Sequence, residues 1–372
     1  VRVEIEGTCE TGLAAVRGAF ADNFAERGEL GAAVAVWLNG RLVVDLWAGL
    51  ADPVEGRPWT EDTIAHAYSV SKPLVAACAL VLADRGALDL GAPVADHWPE
   101  FGRAGKERTR VRHLLTHEAG VVVLREPRPT ELLFDWDGLT AALAAEEPLW
   151  EPGTRHGEHA AFYGHLVGEV VRRVDGRSLG RFLAGELAAP WGLDFHIGLD
   201  EEAQARAARL VDPGDRWRQS VLAEPRRLLA ASLANPPGLL DVEVVNSAAY
   251  RRAEVPAVNG HATARAIARF YAGIAGGGVL DGVRLLREET VAEALRPQAT
   301  GRDVVLERDV AWGLGPQLEP DGSFGLGGVG GFSGFGLRRD GLELGYGYVS
   351  CLLADYDRTE ACEDALARSL LG

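Results

Sequence analysis

The sequence predicts an α/β fold in which both chain ends share one antiparallel sheet flanked by helices, with an all-helical region between them. Three observations carry this. Near the start, the apolar runs 33–38 and 41–47 flank Asn39-Gly40, the preferred two-residue turn between paired strands. Near the end, Gly334–Leu337 and Leu342–Val349 flank Arg339-Asp340-Gly341, a second hairpin signal. Between them, from about Ala51 to Pro297, apolar residues recur at helical spacing, broken by loops. Residues 1–50 with 300–372 are thus expected to form an α/β sandwich. Residues 51–299 are expected to form a mostly helical region that contains the candidate nucleophile.

The flanking helices are legible too. Leu13, Val16, Phe20 and Phe24 fall on one face of a helix over 12–27, closed by Gly28. Ala361, Ala365, Leu366 and Leu370 mark an amphipathic helix at the far end. Residues 212–259, with Asp212-Pro213-Gly214 and Asn235-Pro236-Pro237-Gly238, read as long irregular connections of the kind that cover substrates.

At 372 residues and 47% hydrophobic content the chain can bury a large core without a metal or disulfide staple. Its net charge of -16 argues against a nucleic-acid partner, which needs concentrated Lys and Arg. No apolar run reaches membrane-spanning length, and no apolar stretch follows a basic head at the N-terminus. A cytoplasmic location is the expectation. Cys9, Cys78, Cys351 and Cys362 show no metal-ligand spacing. They are expected to be reduced, with Cys78 buried and inert in a helix. No metal site is expected at them.

Chemistry concentrates in residues 66–86. Leu74, Ala77, Cys78, Val81 and Leu82 follow helical spacing, and Gly86 suits the helix end. Ser69 and Lys72 stand three apart at the start of this helix, so one turn places them within hydrogen-bond reach. A serine hydroxyl is a poor nucleophile until a base takes its proton. A desolvated lysine can do so, because burial lowers its pKa; an arginine cannot release its proton. Lys72 is one of only two lysines in the chain, with Lys106. A bare Ser-x-x-Lys string equally fits a helix cap beside a solvated lysine. Pro73 disfavours helical geometry at Lys72, although proline is tolerated in a first turn.

Tyr68-Ser69-Val70-Ser71-Lys72 resembles the nucleophile box of the class C β-lactamase-like serine hydrolases, a group of esterases, D-aminopeptidases and transacylases. Further stretches resemble the same family in order along nearly the whole chain: Gly31–Trp47, Trp59–Thr63, Arg85–Leu90, Val111–His117, Trp150–Thr154 and Asn259–His261. The resemblance implies a β-lactamase/penicillin-binding-protein-like fold, a covalent acyl-enzyme and no cofactor.

Two positions depart from the family pattern. The resemblance implies a catalytic tyrosine six residues before a helix glycine; counting back from Gly164 reaches Glu158, and Tyr163 does not match. It also implies Lys or His in a basic-x-Gly box on the strand edging the site; the matching position in Phe324–Gly331 is Leu326. Glu158 then has two roles open to it, a base in place of tyrosine or a partner that holds Lys72 charged. Leu326 makes the pocket apolar and removes a carboxylate-binding group. The expected substrate is a neutral ester or similar acyl donor, or an amide. The acceptor is water, an alcohol or an amine, and an apolar, water-poor site favours aminolysis, as in an acyltransferase of a small-molecule biosynthetic pathway.

His159, Leu326, Gly330, Gly331 and Ser333 are the expected substrate-binding residues, and the Ser69 N–H with one near Gly330–Ser333 the expected oxyanion hole. His113 and His117 have zinc-like i, i+4 spacing without a third ligand, so packing is the expected role. His156, Glu158 and His159 are expected to form a loop lining the site. Gly325–Gly330 matches G-x-G-x-x-G without a following helix, which rejects a dinucleotide site. Trp136, Trp150, Trp217 and Trp312 are expected in the core, with one or two reaching the pocket. The rival expectation is a relative that keeps the fold but has lost or changed its chemistry, using Glu158 and nearby histidines for binding or acid–base work.

Overall fold

The computed structural model describes residues 3–212, 214–223 and 226–371. Nine strands form one continuous antiparallel path. They are β1 (Glu6–Cys9), β2 (Gly31–Leu38), β3 (Arg41–Asp52), β4 (Ala299–Asp303), β5 (Arg308–Trp312), β6 (Gln317–Leu318), β7 (Ser323–Gly328), β8 (Phe332–Arg339) and β9 (Leu342–Ser350). Their spatial order is β1-β3-β2-β9-β8-β7-β6-β5-β4, and Arg57–Pro58 adds a tenth strand against β3. The two ends of the chain meet where β2 pairs with β9, with Val34 opposite Tyr348 and Val36 opposite Tyr346.

Both expected hairpins form, and their turns show why. Asn39 and Gly40 have φ of 48° and 76°, and Asp340 and Gly341 have 54° and 80°. Two successive left-handed residues match the twist of the flanking strands, and Asn, Asp and Gly tolerate that conformation best.

Helices cover both sheet faces. On one, α1 (Ala14–Glu26) and α5 (Asp357–Leu371) bury Val16, Phe20 and Leu366 against Val34, Val36, Leu344 and Tyr346. The first turn expected for α1 is a separate 3-10 turn at Thr11–Leu13. On the other face lies α4 (Ala264–Ala275). Gly345 and Gly347 let it come close: a Cβ on Gly345 would stand 1.9 Å from the Ala268 carbonyl oxygen.

Beyond α4 lies the helical region with α2 (Lys72–Asp84) and α3 (Tyr163–Asp175). Every residue of α2 from Lys72 to Leu82 is buried, the mark of an interior helix rather than a surface one. The expectation of irregular connections over 212–259 needs correction. Short helices form at Asp215–Val221, Arg227–Ala234, Val242–Val245 and Ala248–Arg252. Asp241 and Ser247 cap the last two by accepting from the Glu243 and Tyr250 N–H groups. The proline and glycine signals mark the breaks between these helices. All four cysteines are unpaired, and Cys78 is buried, where desolvation raises its pKa. No helix among the described residues is long and apolar enough to cross a membrane.

Candidate active site

The candidate site begins with a strained turn. Tyr68 has φ of 46°, a conformation that costs a tyrosine about 1–3 kcal/mol. Tertiary contacts hold it there: the ring stacks on Phe332 at 5.8 Å and the hydroxyl donates to the Leu239 carbonyl at 3.1 Å. This turn leads into a 3-10 segment over Tyr68–Ser71, so Ser69 precedes the α-helix and Lys72 is its first residue. Lys72 is helical, with φ -59° and ψ -44°, and Pro73 sits in the first turn, where its missing N–H costs nothing. Ser71 does not compete for the site, because its hydroxyl accepts the Gly260 N–H at 3.2 Å.

Lys72 Nζ lies 2.6 Å from Ser69 Oγ, 3.2 Å from a Glu158 carboxyl oxygen and 3.3 Å from the Ala257 carbonyl. The lysine is 0% exposed and Glu158 is 7% exposed. Burial lowers the Lys72 pKa from its ordinary value, and Glu158 opposes that shift without cancelling it. The solvated-cap reading of Ser69 and Lys72 therefore does not hold. Lys106 makes the contrast, since its amino group donates to the Ala144 and Glu146 carbonyls at the end of the helix Trp136–Ala145. That is helix-end capping.

Glu158 is held through its backbone. Its N–H donates to buried Asp303 at 3.2 Å, and the same Asp303 oxygen accepts from Val305 and Leu306 at 2.9 and 2.8 Å. Tyr163 does not stand in for the missing tyrosine, because its hydroxyl donates to the Leu115 carbonyl inside the core.

A cleft of about 1080 Å³ opens on this cluster, lined by Ser69, Glu158, Leu326, Gly330 and Ser333. Two expected binding residues are not at its surface. His159 is fully buried, with its ring against His117 at 5.6 Å and its N–H donating to His117 Nδ1 at 3.0 Å. Burial pushes its pKa down to about 3 and that of His117 well below the usual range, so both rings stay neutral beside Lys72. Gly331 turns its N–H back to the Gly328 carbonyl at 3.2 Å. His117 lies outside the helix Val111–Leu115, with φ of 62°. No cluster of three His, Cys, Asp or Glu suited to a metal exists among the described residues. Trp217 does line the cleft, while Trp312 is fully buried.

Sequence reasoning missed several residues. Val221, Leu229 and Leu233 line the cleft beside Trp217 from the short helices after residue 212. Tyr356 packs across Gly327, 2.9 Å from where a Cβ there would stand. Val329 also lines the cleft, and neither it nor Gly330 finds a backbone acceptor for its N–H among the described residues. Asp303 carried one readable signal, an aspartate whose side chain accepts the N–H two residues on.

The comparisons agree with this architecture. The β-lactamase family model matches residues 16–367, and the chain belongs to that family. The esterase/beta-lactamase LipL of Mycobacterium tuberculosis is 36% identical over 312 residues, which span 82% of this chain and 71% of that protein. The crystal structure of a family VIII carboxylesterase superposes with a TM-score of 0.88 at 37% identity, covering 98% of this chain and all of that one. A penicillin-binding-protein homologue from Caulobacter crescentus gives a TM-score of 0.85 at 35% identity, covering 98% of this chain and 100% of the other. Fold and relatives together make this chain a serine hydrolase with esterase-type acyl-enzyme chemistry.

Proposed function

We propose that Ser69 is the nucleophile, Lys72 its base, and Glu158 the group that orients Lys72, acting on a neutral small-molecule ester. The observation that carries this is the 2.6 Å contact between Ser69 Oγ and a fully buried lysine whose pKa burial has lowered. Neutral Lys72 takes the hydroxyl proton as Oγ bonds to the ester carbonyl carbon. The carbon–oxygen bond to the alcohol then breaks, and the lysine proton leaves with the alcohol. An acceptor's lone pair attacks the acyl carbon in the second half as Lys72 takes the acceptor's proton; the bond from that carbon to Ser69 Oγ then breaks, and Lys72 returns the proton to Oγ.

The Ser69 N–H and one of the two amides without a backbone acceptor, Val329 or Gly330, are the donors proposed for the developing oxyanion. Glu158 touches Lys72 and makes no hydrogen bond to Ser69 among the described residues, which favours the orienting role over that of primary base. Leu326 packs among apolar neighbours, including Trp312 and Val310, and leaves no cation at that position for a substrate carboxylate. The apolar wall of Trp217, Val221 and Leu229 supports transfer to an alcohol or amine alongside hydrolysis.

The test is a substrate panel run at one pH: short neutral aryl esters, the same esters carrying a carboxylate, and a penicillin, each with and without an added primary amine. Turnover of the neutral esters above the other two classes, with amide product when amine is present, is expected. Preference for the carboxylate-bearing compounds would contradict the neutral-ester assignment. The second reading, altered chemistry on a retained fold, draws on Glu158 and Leu326 standing where the resemblance implies tyrosine and a cation. It predicts no turnover of any class.

A further inference from the structure

A second buried acid–base pair lies behind the cleft, and the proposed chemistry does not use it. Glu29, just after α1, and Arg358, in the first turn of α5, meet at 2.8 Å, and both side chains are 0% exposed. Glu29 also accepts from the Tyr348 hydroxyl at 2.7 Å, the Ser350 hydroxyl at 2.8 Å and the Leu30 N–H at 2.9 Å. Arg358 donates to the Ser350 hydroxyl at 3.1 Å and the Leu352 carbonyl at 2.9 Å. Its remaining contact points toward the cleft, a bond from Nη2 to the Gly330 carbonyl at 3.3 Å. The Ala354 N–H donates to that same carbonyl at 3.1 Å.

Gly330 belongs to the β7–β8 turn, whose residues Val329 and Gly330 line the cleft with Ser69. A carbonyl held by two donors fixes the Gly330–Gly331 peptide plane, since the peptide unit is rigid, and so anchors one side of Gly330, whose own N–H belongs to the unit before it. The turn carries φ of 101° and 85° at Gly330 and Gly331, angles that glycine holds without strain. A Cβ at Gly331 would stand 3.0 Å from Arg358 Nη2 and 2.6 Å from the Asp355 carbonyl, so glycine there is what lets the guanidinium reach in. Apolar packing fills buried space at least as stably as an ion pair, but it has no donor to offer a carbonyl.

We propose that Glu29 and Arg358 are positioning residues that hold the Val329–Gly331 turn in the orientation that presents its free N–H groups to the substrate carbonyl. The proposal rests on the assignment of those amides to the oxyanion site. A donor displaced by about 1 Å costs up to ~10²-fold in rate, and the loss falls on the transition state rather than on substrate binding.

The test compares the parent chain with Arg358→Lys, which keeps the charge and loses the fork, and with Glu29→Gln/Arg358→Met, which leaves no unpaired charge. Steady-state ester kinetics, the affinity of a trifluoromethyl ketone analogue and thermal melting are measured on each. The expected result is a kcat ~10–100-fold lower with KM within about threefold of the parent, and a matching loss of analogue affinity. Parent-like kcat and analogue affinity in either folded variant would overturn the proposal, as would a kcat loss matched by an equal rise in KM. If Arg358→Lys does not fold, the double variant decides. A parent that itself turns over ester but does not bind the ketone removes the oxyanion assignment, and with it this proposal; loss confined to the variants cannot arise that way.

Discussion

Two buried ion pairs in this molecule pay for desolvation in different ways. Glu29–Arg358 sits among donors and acceptors, and although burial is the strongest influence and works against the arginine charge, Glu29 with Tyr348, Asp357 and Cys351 together lift the Arg358 pKa. Lys72–Glu158 is longer, 3.2 Å against 2.8 Å, and its lysine pKa is lowered by burial despite the carboxylate. Both pairs are buried, but one side chain holds its proton permanently while the other can release it. Arginine suits the first setting and lysine the second. The lesson is that burial alone does not mark a reactive site; an incompletely compensated, titratable group beside a nucleophile does.

The contrast can be broken by exchanging what each pair loses. Lys72→Met is expected to lower kcat for a neutral ester by about 10²–10⁴-fold, the usual contribution of a general base. Its melting temperature should stay near that of the parent. Arg358→Met should do the reverse in weight: removing one partner of a buried, hydrogen-bonded pair costs about 3–5 kcal/mol, readable by urea unfolding. If Lys72→Met destabilises as much as Arg358→Met, the two pairs are not different in kind.

A smaller effect sharpens the role of Glu158. The carboxylate favours charged Lys72, so Glu158→Gln should lower the lysine pKa further. The rising limb of kcat/KM against pH then moves to lower pH. A limb that stays in place while kcat falls would instead make Glu158 the proton-transfer group. Stability follows the same group. The folded Lys72 pKa lies below its unfolded value, so between the two the unfolded chain binds the extra proton. Stability should fall as pH drops through that window, and this slope should vanish in Lys72→Met, as checked by melting curves from pH 7 to 10. The smallest expected effect is at Leu326→Lys. A few-fold loss on neutral esters and a gain on their carboxylate-bearing counterparts would confirm that the apolar residue sets substrate charge.

Much of this was legible in the sequence because it is local. Asn39-Gly40 and Asp340-Gly341 specify their turns through backbone preference alone, and Ser69 and Lys72 are one turn apart on one segment. What escaped is long-range. The Ala257 carbonyl reaches Lys72 across 185 residues of chain and leaves no side-chain signature. The neutrality of His159 follows from burial against His117, which spacing cannot show. The glycine run 325–331 offers no side-chain pattern to fix its register, so only the turn geometry shows that Gly331 spends its N–H and Val329 does not. The cleft-lining helices after residue 212 were hidden because proline and glycine punctuate them so often.

The most direct test of the central assignment is intact mass spectrometry of the parent, Ser69→Ala and Lys72→Met after exposure to a fluorophosphonate and, separately, to a short acyl ester. The account predicts one adduct on the parent, none on Ser69→Ala, and slow labelling of Lys72→Met. A folded parent that stays unlabelled, or a Ser69→Ala variant that labels as the parent does, would contradict it.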